Sequence, residues 1–222
     1  RTVVSNGLVL DKNGEKMSKR KGNVVDPFET LKKFGADATR WYLISHADPW
    51  ENLKFDEEGI TEVRNKFFGT LFNTYSFFAI YANIDGFVPG AAALQDPQRH
   101  AELDRWILSR LHNLIREYRG FMDDYEPTQA ARCVEQFVVD DLSNWYVRLS
   151  RRRFWKSESG SDKHAAFETL YTCLLTVSQL MASLAPFMAE WLYKNLTDPF
   201  SEHPQNNSVH LSDLPEHDPS LV

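Results

Sequence analysis

From Asp56 onward the sequence carries apolar residues at helical spacing, and this pattern limits the possible fold more than any other feature. The first stripe advances in steps of four or three residues, through Val63, Phe67, Leu71, Tyr75 and Phe78. Such steps place the side chains on one face of an α-helix, and that face must be buried against another element. The stripe therefore predicts a long amphipathic helix.

Three more segments repeat the pattern farther along the chain. Their apolar positions are Leu103, Trp106, Ile107, Leu111, Leu114, Tyr118 and Phe121, then Val134, Phe137, Val138, Leu142, Trp145 and Leu149, and last Phe167, Leu170, Leu174, Val177, Met181, Leu184, Met188 and Trp191. Pro186 is expected to kink or break the last helix. We assign Trp106, Tyr118 and Trp191 to the core. Four amphipathic helices joined by loops predict a mainly α chain, folded as an antiparallel helical bundle over residues 57–222.

Residues 1–56 show a different, mixed pattern. The first ten residues, "RTVVSNGLVL", predict two short apolar runs around a turn. Two short helices follow, over "PFETLKKFG" and "ADATRWYLISH". We therefore predict a short α/β segment over residues 1–56 in front of the bundle.

The composition argues against several classes of protein. Cys133 and Cys173 lie forty positions apart without a CxxC pair, which favours two buried thiols in a reducing compartment. The seven histidines show no metal-ligand spacing, so no metal site is expected. No apolar run approaches the ~18 residues of a membrane span, and no signal peptide opens the sequence. We therefore expect a cytoplasmic protein without a membrane partner.

One loop concentrates positive charge. "GEKMSKRKGNVVDP", Gly14 to Pro27, places four cations within six residues beside two glycines. Backbone amides can approach an anion closely at glycine, and lysine supplies a mobile charge for a phosphate oxygen. The GxxxxGK[ST] spacing of a nucleotide P-loop is missing. From the residues alone, three interpretations stay open: a phosphate-binding loop, a solvated basic turn, or a nuclear-localisation-like signal in "KRKG".

A second basic cluster lies within the predicted bundle. "RLSRRRFWK", Arg148 to Lys156, carries five cations and no acid, so the rest of this chain of net charge −6 sums to −11. One basic stripe on an acidic body is a focused field. Helical spacing would place Trp145, Arg148, Arg152 and Trp155 along one flank, which suits single-stranded RNA. In the alternative, Trp145 lies in the core and the arginines pair with Asp140, Asp141 or Glu135.

"KMSKR", followed by "KGNVVDP", resembles the KMSKS signature loop of the class I aminoacyl-tRNA synthetases. The resemblance implies that the loop closes over ATP during amino-acid activation. Lys16 and Lys19 would then be catalytic, because they would hold the triphosphate and stabilise the charge that develops as pyrophosphate leaves. The ATP-binding residues implied are Lys16, Met17, Ser18, Lys19 and Arg20, where Arg20 replaces the commoner serine. ATP is expected with Mg²⁺ in the full enzyme, and neither is expected to bind tightly to the present chain.

Longer stretches are similar to the isoleucyl-tRNA synthetase branch of that family. They are "GADATRWYLIS", "NKFFGTLFNTYSFFAIYAN", "LDRWILSRL" and "FVVDDLSNWYVRLSRRRFWK". The resemblance implies that the bundle is an anticodon-binding domain, that the partners are tRNA(Ile), ATP and isoleucine, and that the protein is a monomer. The tRNA-binding residues implied are Trp145, Arg148, Arg151, Arg152, Arg153, Trp155 and Lys156.

The other signature of the family, HIGH, is absent from this sequence. "RTVV" begins as if cut within a catalytic domain, so we expect a C-terminal piece of an isoleucine-specific member, without ligase activity alone. Two other interpretations stay open. One is a free-standing helical module that binds RNA, and the other is a structural bundle without a nucleic-acid role.

Overall fold

The computed structural model describes residues 3, 5–90, 101–155 and 160–222. Helices dominate this part of the chain: α1 (Pro27–Phe34), α2 (Ala36–Ser45), α3 (Glu57–Glu62), α4 (Gly69–Asp85), α5 (Glu102–Asp123), α6 (Pro127–Gln136), α7 (Arg148–Trp155), α8 (Ser161–Met181) and α9 (Pro186–Thr197). Two π-helical segments, π1 (Val63–Phe68) and π2 (Phe137–Val147), join α3 to α4 and α6 to α7 without a break. Short 3₁₀ turns follow α9 at Asp198–Phe200, Pro204–Asn206 and Val209–Leu211.

The predicted α/β segment is confirmed, with less strand than its sequence suggests. Strands β1 (Val9–Leu10) and β2 (Leu53–Lys54) pair in parallel. Helix α1 begins where it does because the carboxylate of Asp26 accepts hydrogen bonds from the backbone N–H groups of Phe28 and Glu29. Gly35 ends α1 with a φ of 85°, a backbone conformation that glycine adopts without a steric penalty.

Two aromatic residues of α2 join this segment to the bundle. The Tyr42 hydroxyl donates to the Lys54 carbonyl and accepts from the Asp56 backbone N–H, each at 2.9 Å. The neighbouring Trp41 is fully buried and stacks on Phe67, with the ring centroids 4.4 Å apart. One apolar core therefore runs across the boundary predicted near Asp56, and the division into two domains stays a prediction.

The close packing of Tyr42 on α3 leads to a prediction about stability. A Cβ at Gly59 would lie 2.3 Å from Cε2 of Tyr42, whose ring is held by both of its hydroxyl hydrogen bonds. Gly59→Ala is therefore expected to lower the free energy of unfolding by about 1–3 kcal/mol, as overpacking does elsewhere. The measurement is urea denaturation of the purified chain.

Gly120→Ala is the matched control for Gly59→Ala. Gly120 lies within α5, and a Cβ there meets no atom within 4 Å. Alanine in a helix interior is favoured over glycine by about 0.5–1 kcal/mol, so this variant is expected to be slightly more stable. Equal effects of the two substitutions would contradict the packing argument.

The bundle itself follows the predicted order of helices. α5 packs against α6, π2 and α8, and α8 packs against α9. The break predicted at Pro186 is confirmed, because α8 ends at Met181 and α9 begins at the proline. Proline suits this first helical position, where its missing N–H would have no partner in the helix.

The π2 segment changes which side of the third predicted helix is buried. The sequence pattern assigned Leu142, Trp145 and Leu149 to one buried stripe, but only Leu142 is buried, and the other two are more than half exposed. A π-turn closes its hydrogen bonds from i to i+5 and so adds one residue to the winding. The buried stripe therefore moves on by one position, to Tyr146, Ser150 and Phe154.

Core assignments elsewhere are confirmed in part. Tyr118 is buried, Trp106 is half-buried, and Trp191, which the sequence pattern assigned to the core, is partly exposed. The Trp191 ring stacks on Phe72 at the surface, with the centroids 5.6 Å apart. Of the two thiols, Cys173 is fully buried, whereas Cys133 is half-buried.

Candidate nucleotide-binding loop and nucleic-acid interface

The lysine loop, residues 11–23, follows directly after β1. Lys16 forms an antiparallel bridge with Leu10, which brings the first half of the loop back along the strand. Gly14 and Gly22 lie near the two ends of the loop, with φ values of 85° and 69°. These values lie in the left-handed region, where a side chain is strained, so glycine is the residue that suits both reversals of the chain.

Backbone turns close the tip of the lysine loop. The Lys21 N–H donates to the Ser18 carbonyl at 3.1 Å and to the Ser18 hydroxyl at 3.3 Å. The Gly22 N–H donates to the Lys19 carbonyl at 3.3 Å. Ser18 thus shapes the loop from its own backbone and side chain, and Lys19 and Arg20 are the two central residues of the turn that it closes.

The base of the lysine loop is joined by the side chains of Asp11 and Asn23. Asn23 Nδ2 donates to Asp11 Oδ2 at 2.8 Å, and Asn23 Oδ1 accepts the backbone N–H of Ser18 at 2.9 Å. Hydrogen bonds from Asn23, from the Glu15 backbone and from the Asn13 backbone lower the pKa of Asp11 below its ordinary value. Asp11 therefore stays ionised at neutral pH and accepts from both strands of the loop.

The charges of the lysine loop are unequal in their surroundings. Lys21 Nζ lies 3.0 Å from Glu15 Oε2, in an exposed ion pair. Lys16, Lys19 and Arg20 are exposed and form no ion pair with any residue that the structure describes. Met17 is half-buried against the core and anchors the loop on its inner side. Three unpaired cations between Gly14 and Gly22 are thus available for an anion.

The second candidate surface is the basic flank, which we define as Trp145, Arg148, Arg151, Arg152 and Trp155 on π2 and α7. All five side chains are exposed, and the exposed fractions of Trp145 and Trp155 are 55% and 54%. The Trp145 ring leans against Trp106 of α5, with the centroids 6.2 Å apart, so it is supported on one side and open on the other. The flank combines flat rings with guanidinium groups.

Arg153 lies on the opposite side of α7 from the basic flank. Its two terminal nitrogens lie 2.6 and 2.7 Å from the carboxylate oxygens of Asp104, and its side chain is only 14% exposed. Asp104 is fully buried and also accepts from the Tyr146 hydroxyl at 2.7 Å. Arg153 is therefore occupied inside the bundle, and we leave it out of the interface. Lys156 lies outside the described residues.

Two of the three acids that could have paired with the basic flank have other partners. Asp141 pairs with Arg110 at 2.9 Å, and Glu135 accepts the indole N–H of Trp41 at 3.4 Å. The arginines of the flank form no ion pair with a residue in the described part of the chain. The alternative in which the flank arginines pair with Asp140, Asp141 or Glu135 is therefore not what the structure contains.

Two features of the sites have no counterpart among the sequence predictions. Asn23 and Asp11 are twelve positions apart, and neither belongs to a pattern that suggests contact. Asp104 and Arg153 are also far apart in sequence, and the one available signal was that Asp104 lies three residues before Ile107, on the same helix face as the predicted apolar stripe. Across the described ranges no group of three or more His, Cys, Asp or Glu side chains could hold a metal ion. None of the described helices has the length and apolar run needed to cross a membrane.

Two family models match the chain. Residues 104–222, more than half of its length, match the anticodon-binding domain of tRNA ligase. Residues 1–56, which include the lysine loop, match the class I tRNA synthetases of the I, L, M and V group. One match thus covers the segment that carries the loop and the other the C-terminal part of the bundle, and α3, π1 and α4 lie between them.

Similar curated proteins are named isoleucine–tRNA ligase. The protein from Porphyromonas gingivalis is 57% identical over the whole chain, and that from Cytophaga hutchinsonii is 58% identical over 97% of it. The protein from Thermus thermophilus is 46% identical over the whole chain. The chain spans about a fifth of the length of these relatives, 19% of the first two and 21% of the third.

Solved structures share the fold. The LeuRS–tRNA–LeuAMS ternary complex of Agrobacterium radiobacter K84 superposes with a TM-score of 0.73 at 19% identity, over 97% of this chain and 24% of that one. The methionyl-tRNA synthetase of Mycobacterium tuberculosis, bound by methionyl-adenylate, gives a TM-score of 0.68 at 24% identity, over 86% of this chain and 37% of that one. At these identities the likeness concerns the fold alone.

Proposed function

Since the chain belongs to the anticodon-binding domains of tRNA ligases and carries a class I tRNA synthetase segment before that domain, we propose that it is part of an isoleucine–tRNA ligase. The whole protein would activate isoleucine with ATP and transfer it to tRNA(Ile). This chain would supply the lysine loop for the first step and the basic flank for holding the tRNA. The named relatives, at 46–58% identity, are the main support for the amino acid and the tRNA.

In the activation step the isoleucine carboxylate attacks the α-phosphorus of ATP. A carboxyl oxygen forms a bond to that phosphorus while the bond to the β-phosphate oxygen breaks, which gives isoleucyl-adenylate and pyrophosphate. Negative charge grows on the departing pyrophosphate, and the three unpaired cations between Gly14 and Gly22 are suited to stabilise it. Such catalysis relies on position and charge, and it needs no proton transfer from the loop.

The chain supplies ammonium groups rather than metal ligands. Among the described residues no cluster of acidic, cysteine or histidine side chains fits a divalent ion. We derive no step through the Mg²⁺ expected with ATP.

In the proposed tRNA complex the basic flank contacts splayed bases and phosphates. Trp145 and Trp155 would stack on bases, and Arg148, Arg151 and Arg152 would hold the backbone. The single observation that carries this proposal is an exposed row of rings and unpaired guanidinium groups on a domain of the anticodon-binding family. We further propose a cytoplasmic monomer whose partners are tRNA(Ile), ATP and isoleucine.

The test of the flank is tRNA binding by the Arg148→Ala/Arg152→Ala variant. We expect it to bind a tRNA(Ile) transcript about 10-fold more weakly or worse at low salt, because two phosphate or stacking contacts are lost. The slope of log K against log salt is expected to fall by about one to two for the same reason. Filter binding over a salt series measures both quantities.

The Lys32→Ala/Arg116→Ala variant is the charge-matched control. Lys32 and Arg116 are exposed cations on α1 and α5, two helices that contribute no residue to the flank. Their removal lowers the net charge equally and is expected to change tRNA binding little. Equal losses of tRNA affinity in both variants would show that the flank contributes only through the net charge of the chain. Wild-type binding that ignores the anticodon sequence would favour the free-standing RNA-binding module instead.

A further inference from the structure

We propose that Asn23 and Asp11 are positioning residues of the activation step, which hold the lysine loop in the shape that presents its ammonium groups. The proposal rests on the proposed function, since it assigns a role within that reaction. Neither residue is expected to touch ATP. Together they form the clasp, which we define as the Asn23 and Asp11 side chains with the loop groups that they bind.

The Asn23 side chain joins three separate parts of the loop. Its Nδ2 donates to Asp11 Oδ2 at 2.8 Å and to the backbone carbonyl of Lys16 at 3.3 Å. Its Oδ1 accepts the backbone N–H of Ser18 at 2.9 Å. One amide therefore fixes the base of the loop, the first lysine of the "KMSK" run and Ser18, one of the two residues between the lysines.

Asp11 fixes the opposite strand. Its Oδ1 accepts the backbone N–H of Glu15 at 2.8 Å and that of Asn13 at 3.0 Å, while Oδ2 faces Asn23. The Asp11 backbone N–H donates to the Glu15 carbonyl at 2.9 Å. The carboxylate thus holds the turn at Gly14 on one side and the returning strand on the other.

The clasp leaves the charged tip outside. Residues 19–22 project beyond it, and the Lys16 side chain is exposed although its carbonyl is bound. Gly22, at a φ of 69°, reverses the chain so that Asn23 returns under the tip. Because the ammonium groups stand on long flexible side chains, their reach toward an anion depends on where the backbone of the loop is held.

The clasp pairs a donor at position 23 with an acceptor at position 11, so it can be tested by swapping the two side chains. In the Asp11→Asn variant the amide of Asn23 faces a second amide, and the ionised acceptor at position 11 is lost. Asn23→Asp alone brings two carboxylates together and is unfavourable. In the Asp11→Asn/Asn23→Asp double variant, residue 11 donates and residue 23 accepts, so the bond between them is restored. An oxygen at position 23 still accepts from Ser18, and an oxygen at position 11 still accepts from Glu15 and Asn13. Only the contact to the Lys16 carbonyl is lost.

The experiment is isoleucine-dependent ATP–pyrophosphate exchange by the full-length enzyme that contains this chain. We expect Asp11→Asn, Asn23→Asp and Asn23→Ala each to lower kcat about 10–100-fold, since a displacement of about 1 Å can cost 10²-fold. The kcat of the Asp11→Asn/Asn23→Asp double variant is expected to recover to within about threefold of the wild-type value. KM for isoleucine and the affinity for tRNA(Ile) are expected to stay unchanged, which a general loss of folding would not allow.

Asn13→Ala is the matched control, because the Asn13 side chain is exposed and only its backbone takes part in the loop. It is expected to exchange at the wild-type rate. Wild-type rates of ATP–pyrophosphate exchange in all three single variants would overturn the proposed role of the clasp. So would a double variant that is no faster than the single variants. If the Lys16→Met/Lys19→Met variant also catalysed ATP–pyrophosphate exchange at the wild-type rate, the proposed function itself would fail. If only the Lys16→Met/Lys19→Met variant lost exchange activity, the clasp would be overturned and the proposed function would stand.

Discussion

Asp104→Ala is expected to lower the free energy of unfolding of the bundle by about 3–5 kcal/mol. Asp104 is fully buried and binds Arg153 through both carboxylate oxygens, while the Tyr146 hydroxyl donates to the same group. Alanine would leave the guanidinium inside the bundle without its main partner, and removal of one member of a buried ion pair has costs of this size. Urea denaturation measures the change.

Asp141→Ala is the control for this experiment. Asp141 also pairs with an arginine, Arg110, but that pair lies at the surface. Exposed ion pairs contribute about 0–1 kcal/mol, so the control is expected to lose no more than this. A second variant keeps the test sharp: Asp104→Leu/Arg153→Met removes both charges, and it is expected to be more stable than Asp104→Ala alone. Equal, small losses in every variant would contradict the assignment of a buried pair.

Neutralising Lys16 and Lys19 of the lysine loop is expected to have the largest effect on function. Lys16→Met/Lys19→Met in the full-length enzyme should slow ATP–pyrophosphate exchange by about 10³-fold or more. Removing one group that stabilises developing negative charge costs about 10²–10³-fold elsewhere, and two groups that act together need not add. Methionine keeps much of the length of lysine, so the loss reports the charge.

The matched control is Lys12→Met/Lys32→Met, which removes two exposed lysines from outside the "KMSK" run. Its exchange rate is expected to stay close to that of wild type. The affinity for tRNA(Ile) should be nearly unchanged in both variants, because the basic flank lies on another element. Exchange at full speed by the Lys16→Met/Lys19→Met enzyme would refute the role given to the lysine loop.

The helices could be predicted because their signal is local. Apolar stripes, Pro186 and the Asp26-Pro27 pair determine where helices begin, end and break, and each acts through neighbours in sequence. The order of the helices along the bundle and the mainly α class followed from the same signals. The KMSKS-like loop could also be assigned, since its residues are contiguous.

The neighbours of the loop could not be predicted in this way. The contact between Asn23 and Asp11 depends on the backbone reversal at Gly22, and no spacing rule connects the two residues. For the same reason, the sequence could not show that Arg152 is exposed whereas Arg153 is held inside the bundle. Adjacent positions on a helix point about 100° apart, and only the three-dimensional structure shows that Asp104 takes the second one.

The π2 segment explains why Trp145 was assigned to two incompatible places. A regular α-helical count puts Trp145 on the buried stripe with Leu142 and Leu149. The extra residue in the π winding turns it outward, where it stands with the arginines. Periodicity alone does not reveal a π segment, so the side on which the flank lies was beyond the reach of the sequence pattern.

The winding of π2 has a consequence for how this part of the chain can vary among homologues. Deleting one amino acid between Leu142 and Trp145 would remove the residue that the π winding adds, so ordinary α geometry would return and the residues that follow would keep their sides of the helix. Arg148 and Arg152 would stay outside, and Arg153 would keep its buried partner. A deletion within α7, where the winding is already α-helical, would instead rotate the residues that follow it in the helix by about 100°. A change of one residue in length is therefore expected to be tolerated in π2 and not in the α-helix that follows it.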